Sequence, residues 1–199
     1  MIARLLLVRH GQSTWNAEHR WQGTEDPPLS EFGQLQARQA AEAIGTFDLI
    51  AASTLERAMT TATIIADHLG IGPVVGAADL IERYAGGFQS LTRDDIRVQF
   101  PGYLEAGRRP DGYEPDDVVV ERATGALARI AAQVGNDGTA LVVSHGGVIH
   151  ALERLADAPR EGRLPNLGGR WFDVGPGTFR AGDDVLLVDE ASLTVPDHL

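Results

Sequence analysis

Cysteine and lysine are both absent from this sequence of 199 residues, and each absence excludes a class of chemistry. Without cysteine there is no thiolate nucleophile, no disulfide and no cysteine ligand for zinc. Without lysine there is no Schiff base and no P-loop lysine to bind phosphate. All 17 basic residues are therefore arginines.

Long hydrophobic runs and an excess of positive charge are also absent. No apolar stretch approaches the ~20 residues that a membrane-spanning helix needs, and the first residues do not resemble a signal peptide. We therefore expect a cytoplasmic protein that does not bind membranes. The formal net charge of −11 argues against binding to nucleic acid. It also repels anions at long range, so a site for an anionic substrate must concentrate positive charge locally.

The apolar pattern predicts an α/β fold, with a mostly parallel sheet and helices on both faces in three layers. Apolar runs of this length are typical of strands that are buried on both faces. Four such runs occur: Leu5–Val8, Leu49–Ala52, Ala140–Val143 and Val185–Val188.

Helical periodicity predicts four helices between and after these strands. Ser30 is positioned to cap a helix that ends near Ile44, and Ser53 with Glu56 has the spacing of a capping box for a second helix. A third follows Pro115. The fourth is indicated by a shared apolar face of Val148, Leu152, Leu155 and Ala156.

The length fits one domain, and we expect a single domain over residues 1–199. Residues 85–116 are rich in glycine, proline and charge, which predicts an irregular cap segment over one end of the sheet.

Cationic side chains follow two of the predicted strands directly. Arg9 and His10 follow the first strand, and His145 with Gly146 follows the third. In parallel α/β sheets, ligands bind beyond the carboxyl ends of the strands. Because both histidines are followed by glycine, backbone can approach a ligand closely at each position.

Arg57 falls in the first turn of the second predicted helix, where the helix dipole disfavours a cation. One interpretation is that Arg57 pairs with Glu56 or Asp48, or points into water. The other is that an anion binds here, since the planar guanidinium fork suits phosphate.

A lone histidine is more often structural than catalytic, but two histidines in equivalent positions favour a site. A metal centre is disfavoured, because the histidines are not spaced as a local chelating pair and no carboxylate cluster accompanies them.

The chain resembles the histidine phosphatase superfamily, the phosphoglycerate mutase-like proteins, and in particular its phosphatases. The resemblance begins with RHGQSTWN at residues 9–16. It continues in the family's order over most of the chain, through the blocks WQGTEDPPLSEFGQLQA (21–37), STLERAMTTA (53–62), DLIERYAGGFQSLT (79–92) and VVSHGG (142–147).

The resemblance implies a metal-independent phosphomonoesterase that needs no cofactor and acts on a small phosphorylated substrate, as a monomer or homodimer. It assigns His10 as the nucleophile that becomes phosphorylated, and Glu82 as the acid/base. The residues that match those holding the phosphoryl group are Arg9, Arg57 and His145. Substrate binding is implied for Asn16, Gln22, Gly23 and Gly146.

Phosphoryl transfer requires mainly positioning and charge stabilisation, which two arginines and a protonated His145 would supply. Nearby cations should lower the pKa of His10 and keep it neutral, as a nucleophile requires. We expect its other ring nitrogen to donate to a backbone carbonyl. Without the resemblance, Glu82 would be assigned as a solvated carboxylate paired with Arg83.

The sequence departs from the family in the cap segment, where the stretch that often contains GES reads GYEP at residues 112–115. These departures affect substrate identity more than chemistry. The aromatic side chains in and near the cap could line a substrate site or pack the cap: Trp15, Trp21, Tyr84, Phe88 and Tyr103.

Two alternatives to a phosphatase stay open. The first is a cofactor-dependent mutase, although family mutases have a longer insertion than the short stretch Leu91–Tyr113. The second is a non-catalytic module that binds a phosphorylated ligand, which the joint presence of the five catalytic candidates disfavours.

Overall fold

A computed structural model describes residues 2–189. Its sheet has six strands in the spatial order β3-β2-β4-β1-β5-β6. The strands are β1 (Ala3–Arg9), β2 (Leu49–Ser53), β3 (Val75–Ala77), β4 (Thr139–Ser144), β5 (Gly168–Gly175) and β6 (Thr178–Leu186). The α-helices are α1 (Thr14–Ala17), α2 (Glu31–Ala43), α3 (Glu56–Leu69), α4 (Arg93–Gln99), α5 (Asp116–Val134) and α6 (Gly146–Leu155).

The sheet is mostly parallel, as predicted. Strands β1, β2, β3 and β4 are parallel, whereas β5 pairs antiparallel with β1, and β6 pairs antiparallel with β5. Of the fourth predicted strand, only Val185 and Leu186 lie in β6, and Leu186 is exposed. The prediction of a buried parallel strand at Val185–Val188 is therefore wrong, because Val185 and Leu186 end the antiparallel edge strand β6.

Helices cover both faces of the sheet, and β1 illustrates how the sequence specifies the two faces. Leu5 and Leu7 pack in one hydrophobic cluster with buried residues of α5 and α6. Leu6 and Val8 pack in a second cluster with buried residues of α2 and α3. Alternate residues of a strand point to opposite faces, so a continuous apolar run supplies both clusters.

The helix boundaries agree with the sequence except at α3. Ser30 accepts a hydrogen bond from the Gly33 amide and caps α2, and Pro115 precedes α5. Ser53 does not form a capping box, because it ends β2; the N-cap position is Leu55, and Asp26 accepts from the Glu56 amide at 2.8 Å. On α6, Leu155 is exposed and does not share the buried face of Val148 and Leu152.

Residues 85–116 are largely irregular, with α4 and a short 3-10 turn at Gly86–Phe88. They have a separate cluster of buried side chains around Phe88 and Ile96, against which Trp21, Phe100 and Tyr103 pack. That this segment acts as the cap of a single domain stays a prediction.

Among the residues that the structure describes, no helix is both long and apolar enough to cross a membrane.

Candidate active site

Three adjacent parallel strands end at one edge of the sheet and bring the predicted residues together there. Ser53 ends β2, His145 follows β4, and His10 follows β1. Because Arg9 is in register with Ser144, the two histidines occupy equivalent positions on neighbouring strands. Their ring centroids are 5.2 Å apart.

A cavity of about 270 Å³, here called the His10 cavity, opens at this edge. The predicted residues that line it are Arg9, His10, Gln22, Gly23, Arg57, Glu82 and Gly146. Two others do not border it. His145 is fully buried beside the His10 ring, and Asn16 lines two neighbouring cavities.

His10 is buried and oriented by its own neighbour in the chain. Its Nδ1 lies 2.6 Å from the carbonyl oxygen of Gly11, so we assign the ring proton to Nδ1 and the lone pair to Nε2. Burial, and then the charges of Arg57 and Arg9, hold the pKa of His10 well below its usual value. As predicted, the ring is therefore neutral at neutral pH and hydrogen-bonded to a backbone carbonyl.

The loop before β5 holds Arg9 and His10 in place. Arg9 Nη1 donates to the carbonyl of Leu164 at 2.8 Å. Asn166 Nδ2 donates to the carbonyl of His10 at 2.8 Å and to Asn16 Oδ1 at 3.2 Å. Asn166 could not be selected from the sequence, because a single asparagine in an aperiodic stretch does not indicate which residues it contacts in the fold.

Arg57 is fully buried, and backbone carbonyls fix its orientation. Its Nη1 donates to the Glu25 carbonyl at 2.7 Å and its Nη2 to the Gly23 carbonyl at 3.0 Å. The nearest carboxylate is Asp26, with Oδ1 at 3.6 Å from Nη1, rather than Glu56 or Asp48. The buried Nε has no hydrogen-bond partner within residues 2–189.

Burial lowers the pKa of Arg57 to about 10, partly offset by the charges of Glu82 and Asp26. The guanidinium is therefore still charged at neutral pH. A buried charge that is only partly compensated attracts an anion strongly, because the surrounding medium screens it weakly.

Glu82 projects into the His10 cavity with both oxygens held by backbone amides. Oε1 accepts from the amide of Arg83 at 2.8 Å, and Oε2 accepts from the amide of Gly147 at 2.9 Å. The guanidinium of Arg83 instead pairs with Asp116 at 2.7 Å. Glu82 is thus an oriented carboxylate and not the partner of the Arg83 side chain.

His145 differs from the expectation of a protonated ring. Its Nε2 lies 2.8 Å from Ser53 Oγ, and its buried Nδ1 has no hydrogen-bond partner in the described part of the chain. Burial, followed by the charge of Arg57, holds the pKa of His145 well below its usual value. The prediction of a cationic His145 is therefore wrong at neutral pH, because burial of the ring, and then the charge of Arg57, disfavour the protonated form.

The His10 cavity is also lined by residues that were not among the predicted site residues, namely Arg83, Tyr113, His150, Arg163 and Leu164. Of the aromatic candidates, Trp21 lines the cavity, whereas Phe88 and Tyr103 pack together in the cluster of residues 85–116. Within residues 2–189, no group of three or more histidine, aspartate or glutamate residues is arranged to hold a metal ion.

Comparisons with known proteins show the family of the chain. Residues 5–169 match the family model of the histidine phosphatase superfamily (branch 1). A glucosyl-3-phosphoglycerate phosphatase from Mycolicibacterium vanbaalenii is 32% identical over an alignment of 205 residues, gaps included. The alignment covers 94% of this chain and 91% of the relative. A 2,3-bisphosphoglycerate-dependent phosphoglycerate mutase from Methylobacterium radiotolerans is 31% identical over 176 residues, covering 82% and 83% of the two chains.

A solved structure gives the same result. Mycobacterial glucosyl-3-phosphoglycerate phosphatase in complex with VO3 has a TM-score of 0.79 at 30% identity, covering 90% of this chain and 96% of that chain. The family resemblance and the fold class that the sequence predicts are confirmed.

Proposed function

The chain belongs to the histidine phosphatase superfamily, and we propose that it is a metal-independent phosphomonoesterase that forms a phosphohistidine on His10. One observation carries this proposal. His10 borders the cavity as a neutral ring whose Nδ1 is bound to the Gly11 carbonyl, between the charges of Arg9 and Arg57. A neutral nucleophile between fixed cations is what transfer of an anionic phosphoryl group requires.

In the first step, His10 Nε2 attacks the phosphorus atom, the phosphorus–oxygen bond to the alcohol breaks, and Glu82 gives its proton to the leaving oxygen. Arg9 and Arg57 stabilise the charge on the phosphoryl oxygens throughout. The Gly11 carbonyl stabilises the charge that develops on the His10 ring, as it accepts from Nδ1–H.

In the second step, Glu82 as carboxylate takes a proton from water, the water oxygen bonds to phosphorus, and the bond to Nε2 breaks. Inorganic phosphate leaves and Glu82 is protonated again. The two backbone amides that hold Glu82 support this role, because they fix the carboxyl group without a competing cationic side chain.

His145 serves this mechanism as a neutral neighbour. Its ring lies beside the His10 ring without bordering the cavity, and its Nε2 lies 2.8 Å from Ser53 Oγ. A phosphoryl dianion at the site would also raise the pKa of the ring.

A mutase is the second candidate, and the Methylobacterium relative supports it. Hydrolysis is favoured because only a short segment separates the Glu82 block from α5, which leaves the site open to water. Phosphate release from 3-phosphoglycerate without isomer formation would support hydrolysis, and isomerisation that requires a bisphosphate primer would support the mutase. A small phosphorylated substrate, a cytoplasmic location and a monomeric or homodimeric state stay predictions.

The test compares His10→Ala with His68→Ala, which removes an exposed histidine of α3. We expect the wild type and His68→Ala to hydrolyse p-nitrophenyl phosphate at the same rate, and His10→Ala to lose at least a thousandfold. Acid quenching after a pulse of labelled substrate should destroy the phosphoryl label on the wild type, and alkaline quenching should preserve it. Turnover that survives in His10→Ala would refute the mechanism.

A further inference from the structure

A second cavity adjoins the His10 cavity and is not used by the mechanism above. We call it the side cavity; it has a volume of about 320 Å³. Trp21 and Arg163 line both cavities and therefore form the boundary between them. The remaining lining residues of the side cavity are Asn16, His19, Arg20 and Arg93. None of the six is acidic.

Two of the three arginines that line the side cavity lie outside ion-pair distance of any carboxylate within residues 2–189. Most arginines in residues 2–189 lie within ion-pair distance of a carboxylate, and Arg20 is one of them, paired with Glu18 at 2.7 Å. The side chain of Arg163 has no hydrogen bond and no ion pair within the same range, and the side chain of Arg93 has none either, although the charge of Glu105 is near it. In a chain with 28 acidic residues and 17 arginines, the side cavity thus brings together two arginine side chains without an acidic partner in the described range.

Arg163 is also close enough to the proposed nucleophile to influence it. Its charge contributes to the lowered pKa of His10, after burial and the charges of Arg57 and Arg9. The next residue, Leu164, accepts the hydrogen bond from Arg9. Arg163 therefore directly precedes the residue that binds Arg9, one of the two arginines proposed to hold the phosphoryl group.

The same segment is anchored on its other side. Arg160 pairs with the fully buried Glu153 at 3.0 Å and also contacts Asp184. The backbone on both sides of Arg163 is therefore held, while its side chain is exposed and available to a ligand.

We propose that the side cavity binds a second anionic group of the same substrate, a carboxylate or a phosphoryl group, mainly through Arg163. The inference rests on the proposed function, because the phosphoryl group that reacts must occupy the His10 cavity. The rest of such a substrate passes between Trp21 and Arg163. A guanidinium binds either kind of group through two parallel hydrogen bonds, so both are tested.

The net charge of the protein explains why a second anionic group would need a cation of its own. A net charge of −11 repels a substrate with two anionic groups, and each group needs a local cation to offset the repulsion. Arg9 and Arg57 serve the first group, and Arg163 serves the second.

The experiment uses matched pairs of substrates that differ in the second anionic group. The carboxylate pair is 3-phosphoglycerate and glycerol 3-phosphate, and the phosphoryl pair is propane-1,3-diol bisphosphate and propyl phosphate. The variants are Arg163→Gln and, as a control, Arg180→Gln. Arg180 lies exposed on β6 and likewise has no ion pair within residues 2–189.

We expect the wild type to prefer the doubly anionic member of at least one pair. Arg163→Gln should lower kcat/KM for that member about tenfold, mainly through KM, and change the other member less than twofold. Arg180→Gln should change neither. The pair that responds identifies the second group as carboxylate or phosphoryl.

Two results would overturn the inference: no preference by the wild type in either pair, or equal losses for both members in Arg163→Gln. Calorimetric binding of the same four ligands separates this from a failure of the proposed function. If no ligand is hydrolysed and His10 is never phosphorylated, the proposed function fails. The difference that Arg163→Gln makes between the binding of the two members of a pair then still tests whether the side cavity binds the second anionic group.

Discussion

Both ends of the His10 cavity contain arginines, but those at the inner end and the one at the mouth differ in burial and in hydrogen bonding. Arg57 and Arg9 at the inner end are 0% and 6% exposed, and backbone carbonyls fix their guanidinium groups. Arg163 at the mouth is exposed, and its side chain has no hydrogen bond within residues 2–189. The inner cations are oriented before any ligand binds, whereas the outer cation is free to adjust.

This difference separates chemistry from selectivity. Fixed dipoles and charges in a buried site stabilise a transition state without having to reorganise, and small displacements there weaken catalysis strongly. An exposed arginine side chain on a fixed loop can reorient to bind different second anionic groups at a small cost in free energy. We therefore expect substitutions at the inner end to reduce the turnover of every phosphomonoester, and substitutions at the mouth to change which one is preferred.

The largest effect is expected from Arg57→Lys. The single nitrogen of a lysine cannot occupy the positions of Nη1, Nη2 and the unpartnered Nε at once, so the contacts with the Glu25 and Gly23 carbonyls and the planar fork are lost. A loss of about 3 kcal/mol in transition-state stabilisation, on the order of a hundredfold in kcat/KM, should follow. Kinetics with p-nitrophenyl phosphate measure it.

The matched change at the mouth, Arg163→Lys, keeps a mobile charge and should reduce kcat/KM for the same substrate less than threefold. Equal losses in the two variants would remove the distinction between the two ends of the cavity.

A smaller effect is expected from adding one methyl group beside Glu82. A Cβ on Gly147 would lie 3.0 Å from Glu82 Cδ and closer still to Oε1, so the carboxylate must move. We expect Gly147→Ala to lower kcat about tenfold with little change in Tm, because a side-chain end can move without unfolding the protein.

Gly146→Ala is the control for this prediction. A Cβ there would meet only Arg9 Cδ at 3.7 Å and Nε at 3.9 Å, which are ordinary contacts. Its kcat should stay within twofold of the wild type. A tenfold loss in Gly146→Ala, with none in Gly147→Ala, would contradict the assignment of Glu82 as the acid/base.

The smallest effect is expected in the pH dependence of the free energy of unfolding. It arises from the two buried histidines, His10 and His145. The pKa values of His10 and His145 are lowered in the folded protein, so below about pH 6.5 the unfolded chain binds more protons than the folded one. The free energy of unfolding therefore falls as the pH falls below this value. Each histidine contributes up to about 1.4 kcal/mol per pH unit.

His145→Gln should remove one of these two contributions. We expect the loss of stability between pH 7 and pH 5.5 to be smaller by about 1 kcal/mol than in the wild type, as measured by denaturant unfolding. His68→Gln changes an exposed histidine and should leave the wild-type dependence unchanged. An identical pH dependence in His145→Gln and the wild type would mean that the ring is not buried as a neutral group.

Much of the fold could be predicted from short-range patterns. The continuous apolar runs at β1, β2 and β4 predict buried parallel strands, and the residues after β1 and β4 predict a site at their carboxyl ends. The antiparallel strands β5 and β6 could not be predicted, because Gly168, Gly169, Arg170 and Asp173 interrupt the apolar pattern of β5. Strand β5 pairs with β1 through hydrogen bonds between backbone groups, and the pattern of side chains does not reveal which backbone segments pair.

The candidate site shows the same division. Arg9, His10, Arg57 and Glu82 could be selected from motifs, but their partners could not. Ser53 has the spacing of a helix cap, yet it lies beside His145, because β2 and β4 are neighbours in the sheet. Asn166 is 156 residues from the His10 carbonyl to which it donates.

The sequence by itself determined which chemical groups are present and which strands deliver Arg9, His10 and His145 to the edge of the sheet, since apolar periodicity and motif spacing are local properties. Only the tertiary structure decided the protonation of His145, the partners of Arg57 and the position of Arg163 between two cavities. Burial and charge–charge interactions depend on distances in space, and residues far apart in the chain set those distances.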